Sequence, residues 1–170
     1  MGLRRLRLRH PVTSSGCKMR VVVGTGQTPI TSGSAYSSGQ AIGSTITIAR
    51  VADFGFGTVL NLALIDLSDQ KAPIDVLIFN QPLAVPQTDK TTIAIGTVDA
   101  PNLIGHISLT TGSWSDLGST AVATIYNMWM AVAGGVDNNL YCQLVSRGTP
   151  TYTRTDALRL KLTSQVAGDF

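Results

Sequence analysis

From position 20 onward, apolar residues recur at every second position or in short runs, and Gly, Pro, Asp and Asn interrupt them. The pattern predicts strands near 20–24, 44–52, 58–66, 75–79, 92–98, 104–109, 120–131, 140–147 and 158–163. Alternation is clearest in Ile46-Thr47-Ile48 and in Leu158-Arg159-Leu160-Lys161-Leu162, where three leucines would face a core and two cations solvent. Segment 58–67 is nearly all apolar, which predicts a central strand buried on both faces. Turn chemistry marks the breaks: Gly55 and Gly57 around Phe56, Lys71-Ala72-Pro73, Gly134-Gly135 before Asp137-Asn138-Asn139, and Arg147-Gly148-Thr149-Pro150. The polar stretch 25–39 reads as an extended connector, and 81–90, with Pro82 and Pro86, as a loop. Asp99 before Ala100-Pro101-Asn102 predicts one short helical turn.

Eight or nine short strands with regular turn signals indicate a sandwich or small barrel. Connections 81–91 and 150–157 exceed hairpin length and suit crossings between sheets. The expected fold is therefore all-β: a jelly-roll sandwich of about eight strands in two antiparallel sheets. No internal repeat of 20–50 residues is visible, which excludes propellers and solenoids.

Composition sharpens this. The chain has no glutamate, while threonine, glycine, valine and isoleucine abound. Exposed helix faces draw on Glu, Lys and Gln, and pleated surfaces on Thr, Val and Ile. The net charge of +3 also divides unevenly. The first twenty residues carry six bases and no acid; the remainder carries seven bases against ten acids. The high isoelectric point thus describes a cationic arm, 1–19, on a mildly acidic β-sandwich domain, 20–170, and not a basic protein.

The basic start is not followed by the apolar stretch a signal peptide needs, and no run of about 18 apolar residues occurs later. A soluble protein without membrane contact is expected. Met1-Gly2 does not open a myristoylation signal, because Leu6 stands where Ser or Thr is required. As a strand, the arm would set Leu6 and Leu8 on one face and Arg5, Arg7 and Arg9 on the other. The bases Arg4, Arg5, Arg7, Arg9, Lys18 and Arg20 are therefore candidate partner contacts.

Candidate chemistry is sparse. His106 sits in an apolar strand context and reads as structural; His10 lies in the arm. Cys17 and Cys142 are too distant in sequence from each other and from the histidines for zinc spacing, and read as free thiols. The aspartates are scattered at turns and strand starts, with no facing pair nominated for glycosidase chemistry. Asp137-Asn138-Asn139 reads as a tight turn before a calcium loop. Gly24-Thr25-Gly26 lacks the rest of a phosphate loop. No enzyme, metal or cofactor is expected. Among the aromatics, Trp129 alternates with Met128 and Met130 and reads as core or interface packing, whereas Trp114, placed on a loop, is the better candidate for an exposed contact.

The segment Leu140–Thr153, LYCQLVSRGTPTYT, followed by Asp156-Ala157-Leu158-Arg159-Leu160-Lys161-Leu162, resembles small structural proteins of tailed bacteriophages. Ser34-Ala35-Tyr36-Ser37-Ser38-Gly39 is similar to that group's SAY-x-x-G segment, and Asp75-Val76-Leu77-Ile78-Phe79-Asn80 to its central strand. The likeness covers about 20–165 and leaves the basic extension outside it. It implies a capsid cement, or decoration, protein with a jelly-roll fold and no catalytic site. The implied partners are the major capsid protein and a second copy of the chain, as a dimer or trimer, with no direct nucleic-acid contact. The implied place is the outer capsid surface of a virion assembled in the host cytoplasm. The alternatives weighed against it are a receptor- or carbohydrate-binding jelly roll of a tail fibre, and a nucleic-acid module using the arm.

Overall fold

Most segments with the period-two pattern form strands. A computed structural model describes residues 18–27, 29–31, 33–49, 56–133 and 137–168. Ten strands lie among them: β1 (Lys18–Gln27), β2 (Ala41–Ile48), β3 (Phe56–Asp66), β4 (Ile74–Phe79), β5 (Leu103–Leu109), β6 (Trp114–Asp116), β7 (Ala121–Ile125), β8 (Met130–Ala133), β9 (Leu140–Ser146) and β10 (Leu158–Gly168). Two single 3-10 turns, Ala100–Asn102 and Thr111–Ser113, are the only helical elements among the described residues.

The strands make two antiparallel sheets. One runs β1-β10-β3-β7-β6, with β8 also on β3; the other runs β2-β9-β4-β5. The first strand pairs with the last, the second with the last but one, and successive pairs alternate between the sheets. This is a long hairpin rolled into two layers, the jelly roll. Inward residues such as Ile42, Ile48, Leu62, Leu64, Val76, Leu144 and Leu160 fill the core between the layers.

The sheets differ on their outer faces. In β4 and β9 every residue is buried, inner and outer alike. Leu77, Phe79, Tyr141 and Val145 point away from the main core and form a second one with Leu83, Ile93 and Ile95 of the 80–99 loop. The buried amide of Gln143 in this layer is satisfied by Gly43 O, Leu144 O and the Thr45 hydroxyl. The strand expected to be buried on both faces, 58–67, is central in its sheet, yet only alternate residues of it are fully covered.

Three further expectations are corrected. Segment 92–98 is not a strand. Apart from one bridge, Thr92 to Gln40, it runs as a loop, because Ile93 and Ile95 are used to plug the second core. Segment 120–131 breaks into β7 and β8, with 126–129 looped between them. The third concerns Trp114, which opens β6 and does not sit on a free loop. It pairs with Ala123, packs partly buried against the core and donates its indole N–H to Ala72 O at 3.0 Å. The helical turn after Asp99 is present, but the Asp99 carboxylate accepts from Ala84 N and does not cap it.

Gly26 lies on the inner side of β1, where an added Cβ would overlap Ile46 and press on Ile48. Valine has the higher strand propensity, so overlap and propensity oppose each other and overlap wins. Gly26→Val should lower unfolding stability by about 1–3 kcal/mol in urea titration; an unchanged midpoint would mean β1 is not packed this closely on β2.

Candidate partner-binding surface

The carboxylates come first, because a site for chemistry would be built on them. Asp75 of β4 gathers an Asp, His and Ser: Ser108 donates to Oδ1 at 2.7 Å, and His106 Nε2 lies 3.0 Å from Oδ2. Arg147 Nε also reaches Oδ2, at 2.6 Å. This is not a relay. The ring nitrogen facing Asp75 is the same Nε2 that lies 3.4 Å from Ser108, and the Ser108 hydroxyl is already given to the carboxylate. A nucleophile would need its proton facing a ring nitrogen left free to accept it. Burial works against the Asp75 charge, but the bonds from Ser108, Arg147 and His106 outweigh it and hold its carboxyl below the usual range. The cluster pins β4, β5 and the end of β9 together.

Asp66 is fully buried at the end of β3 and accepts from the backbone N–H groups of Ser68, Gln70 and Lys71. It thereby holds a turn in which Asp69 and Lys71 adopt left-handed conformations. Cys142 is buried, and burial pushes its thiol up to about 12, so it is no nucleophile at neutral pH. Among the described residues no three His, Cys, Asp or Glu side chains gather as metal ligands.

Asp89 joins three separate segments of the chain. It accepts from Thr31 N at 2.8 Å, the Tyr36 hydroxyl at 2.7 Å and Gly43 N at 2.6 Å. Next to it Lys90 bonds Ser34 and sits 4.8 Å over the Tyr36 ring. Tyr36 meets Tyr152 edge-on at 5.7 Å, and both rings are fully buried. Burial and the Asp89 contact raise the Tyr36 hydroxyl well above its ordinary value. The SAY-x-x-G segment, the Thr-Tyr after β9 and the 80–99 loop thus meet at one junction. Gly39, with φ of +88°, supplies the left-handed turn that follows Tyr36.

Of the residues nominated as partner contacts, Arg4, Arg5, Arg7 and Arg9 lie outside the described residues. Lys18 and Arg20 belong to β1, where their backbones pair with Gly168 and Val166. Trp114 is held as described above. Its indole N–H is spent within the fold.

The exposed apolar groups lie elsewhere. Along β10, Arg159, Lys161, Thr163 and Gln165 face outward, and the register carries this face across the six-stranded sheet. Val23 stands beside Thr163 and Asn61; Val21 beside Gln165, Thr58 and Ala131. At the far side Tyr126 and Trp129 stand out at 69% and 66% exposure, against 60% and 61% for Val21 and Val23. The local cause is a bulge. β3 carries one extra residue, Leu60, between its pairings with Ser164 and Thr163. Opposite that bulge the neighbouring strand cannot stay in register and loops out over 126–129. Met128 N bonds Leu60 O at 2.9 Å, and Asn127 N bonds the Asn61 side chain at 3.3 Å. Met128 and Met130 turn inward onto the core and Trp129 outward, so the alternation between them holds, but it places Trp129 in solvent. The expected packing role for Trp129 gave too little weight to Asn127, a residue suited to left-handed backbone.

A second concave region of about 530 Å³ lies along the 80–99 loop, lined by Val85, Gln87, Thr88, Thr92, Ile95 and Asp99 among others. It is an open groove over the second core, and its two buried polar side chains bond within the loop, Gln87 to Val85 O and Asp99 to Ala84 N.

No protein-family model and no curated protein sequence matches the chain. Among solved structures, a chain of Desmodium yellow mottle tymovirus is similar at 12% identity and a TM-score of 0.29, over all of this chain and 91% of that one.

Asp89 provides a direct test of the junction. Burial disfavours its charge, and the bonds from Thr31, Tyr36 and Gly43 overcome this, so its pKa lies below the ordinary carboxylate value. A lowered folded pKa contributes stability that is complete above the unfolded value, about 3.9, and is lost as pH falls through the folded one. Asp89→Asn should cost about 2–3 kcal/mol at pH 7 and flatten the loss of stability below about pH 4. Urea titrations across pH 2–7 read both effects; a variant with the wild-type pH profile would remove Asp89 from this role.

Proposed function

We propose that the protein is a non-enzymatic virion structural protein that binds the outer surface of an icosahedral tailed-phage capsid and stabilises contacts between capsomers. One observation carries the reading. The motifs of the phage-protein resemblance are not scattered through the jelly roll: Tyr36, Tyr152, Asp75 and Arg147 make its buried ring contact and the ion cluster around the buried Asp75. The residues that carry the likeness are thus among those that lock this fold. The buried carboxylates among the described residues serve the fold, while the outer face of the six-stranded sheet carries two exposed aromatics, as suits a protein that works by surface contact.

Such a module acts by mass action. Binding only the assembled state, it opposes the slipping of neighbouring subunits. Many copies on one shell add avidity even when each contact is modest. The cationic arm, 1–19, extends the contact to an acidic surface on the major capsid protein or to a sister copy. Arginine suits such fixed pairing better than lysine, and Arg4, Arg5, Arg7 and Arg9 are all arginine.

Co-sedimentation with empty mature capsids should show saturable binding at a fixed stoichiometry. Binding to glycans and not to shells would replace this reading with the tail-fibre one. Deleting 2–17, which stops short of β1, should leave thermal stability unchanged and make attachment weaker; unchanged attachment would remove the arm from the contact.

A further inference from the structure

We propose that the uncharged half of the outer face of the six-stranded sheet, with Tyr126 and Trp129 at one margin and Val21 and Val23 at the other, docks a folded protein surface that is apolar where it meets those margins and acidic beside them. The inference rests on the capsid-binding reading and names the face that makes the contact.

The backbone is the first argument. Asn127 and Trp129 have φ of +56° and +46°. Asparagine tolerates this region; a bulky indole does not, and such residues persist where the surroundings over-determine them. Among the described residues Met128 and Met130 on either side do the packing, while the Trp129 side chain is two-thirds exposed. Glycine would relieve the strain at this position. The break therefore presents an aromatic side chain at the expense of local backbone comfort.

The shape is the second. Three strand spacings separate β1 from β8, so the valines and Trp129 stand about 14 Å apart across a pleated face. That distance falls within the footprint of an ordinary protein interface, about 800 Å² per partner. Between them lie Thr163, Asn61, Gln165 and Thr58, all uncharged. Exposed Trp and Tyr on an uncharged field are the usual anchors of protein interfaces.

Charge selects the partner. Further along β10 the same face carries Arg159 and Lys161, and no described residue on it is a carboxylate. Arg159 shares Asp156 with Arg154. Stacking this face on a second copy would offer Lys161 only Asp156, which two arginines already share, so the occupant is a different protein with acidic side chains there. A saccharide site would need polar groups converging on the rings, and the Asn61 side-chain oxygen already accepts from the Asn127 backbone N–H. A bilayer is met by protruding loop tips; a sheet centre is poorly shaped for it.

Trp129→Gly, Tyr126→Ala and Lys161→Glu separate the possibilities, measured by binding to the same empty capsids, by sedimentation of the free protein, and with glycan arrays and phosphatidylserine-containing vesicles. Trp129→Gly should keep or raise the melting temperature while weakening capsid binding by at least about 30-fold, the size of a hot-spot truncation. Tyr126→Ala should weaken it in the same direction. Lys161→Glu should weaken binding most at low salt. Wild-type binding that survives all three substitutions overturns this assignment and leaves the capsid reading standing. A wild-type protein that ignores capsids overturns the capsid reading itself. Trp129-dependent self-association, vesicle binding or glycan binding in its place overturns the named occupant.

Discussion

The four-stranded sheet is as apolar on its outer face as on its inner one, and much of the molecule is arranged around the need to cover it. Leu77, Phe79, Tyr141 and Val145 cannot be left to water, so a loop of some twenty residues folds across them and supplies Leu83, Ile93 and Ile95. A loop covering an apolar face brings polar backbone with it, and that backbone must find partners. Ala41 exchanges bonds with Lys90 and Thr91, Ile93 bonds Gly39, and Asp89 takes three donors at once. The 29–40 connector is drawn into the same lock through Tyr36. Coverage of one face thus dictates the course of two connections and the only densely bonded loop carboxylate in the junction.

The six-stranded sheet is treated in the opposite way. Among the described residues no loop crosses its outer face, which carries exposed valines, a tyrosine and a tryptophan. The β3 bulge at Leu60 and the matching break at 126–129 keep the fourth strand from completing a smooth ladder. Two left-handed residues result, one of them a tryptophan. On the proposed reading, a sandwich that covers one outer face with its own chain and leaves exposed aromatics on the other is completed from outside. Rigidity of the covered side serves the open side, because a preorganised face loses little freedom on docking.

Most of this architecture is legible in the residues, and the failures have physical reasons. Period-two alternation located β2, β4, β5, β9 and β10, because those strands have continuous neighbours on both sides or a clear inward face. It misread 92–98, where Ile93 and Ile95 alternate as in a strand but serve a core that only the tertiary fold creates. It assigned double burial to β3 on apolarity alone; the doubly buried strands, β4 and β9, contain Asp75, Gln143 and Ser146, whose polar atoms are satisfied in ways no local window reveals. Trp114 and Trp129 exchanged roles. Gly-Ser around Trp114 suggested a loop, although a 3-10 turn feeds it directly into β6. Alternation around Trp129 suggested packing, although the bulge opposite it could be seen only once β3 and β10 were paired.

The central claim is the difference between the two outer faces, one sealed by the chain and the other open to a partner. Hydroxyl-radical footprinting of free and capsid-bound protein measures it directly. The account predicts that Tyr126 and Trp129 lose reactivity on binding while Val85 and Val98, exposed on the 80–99 loop, keep theirs. Protection of the loop with Trp129 still reactive would contradict it.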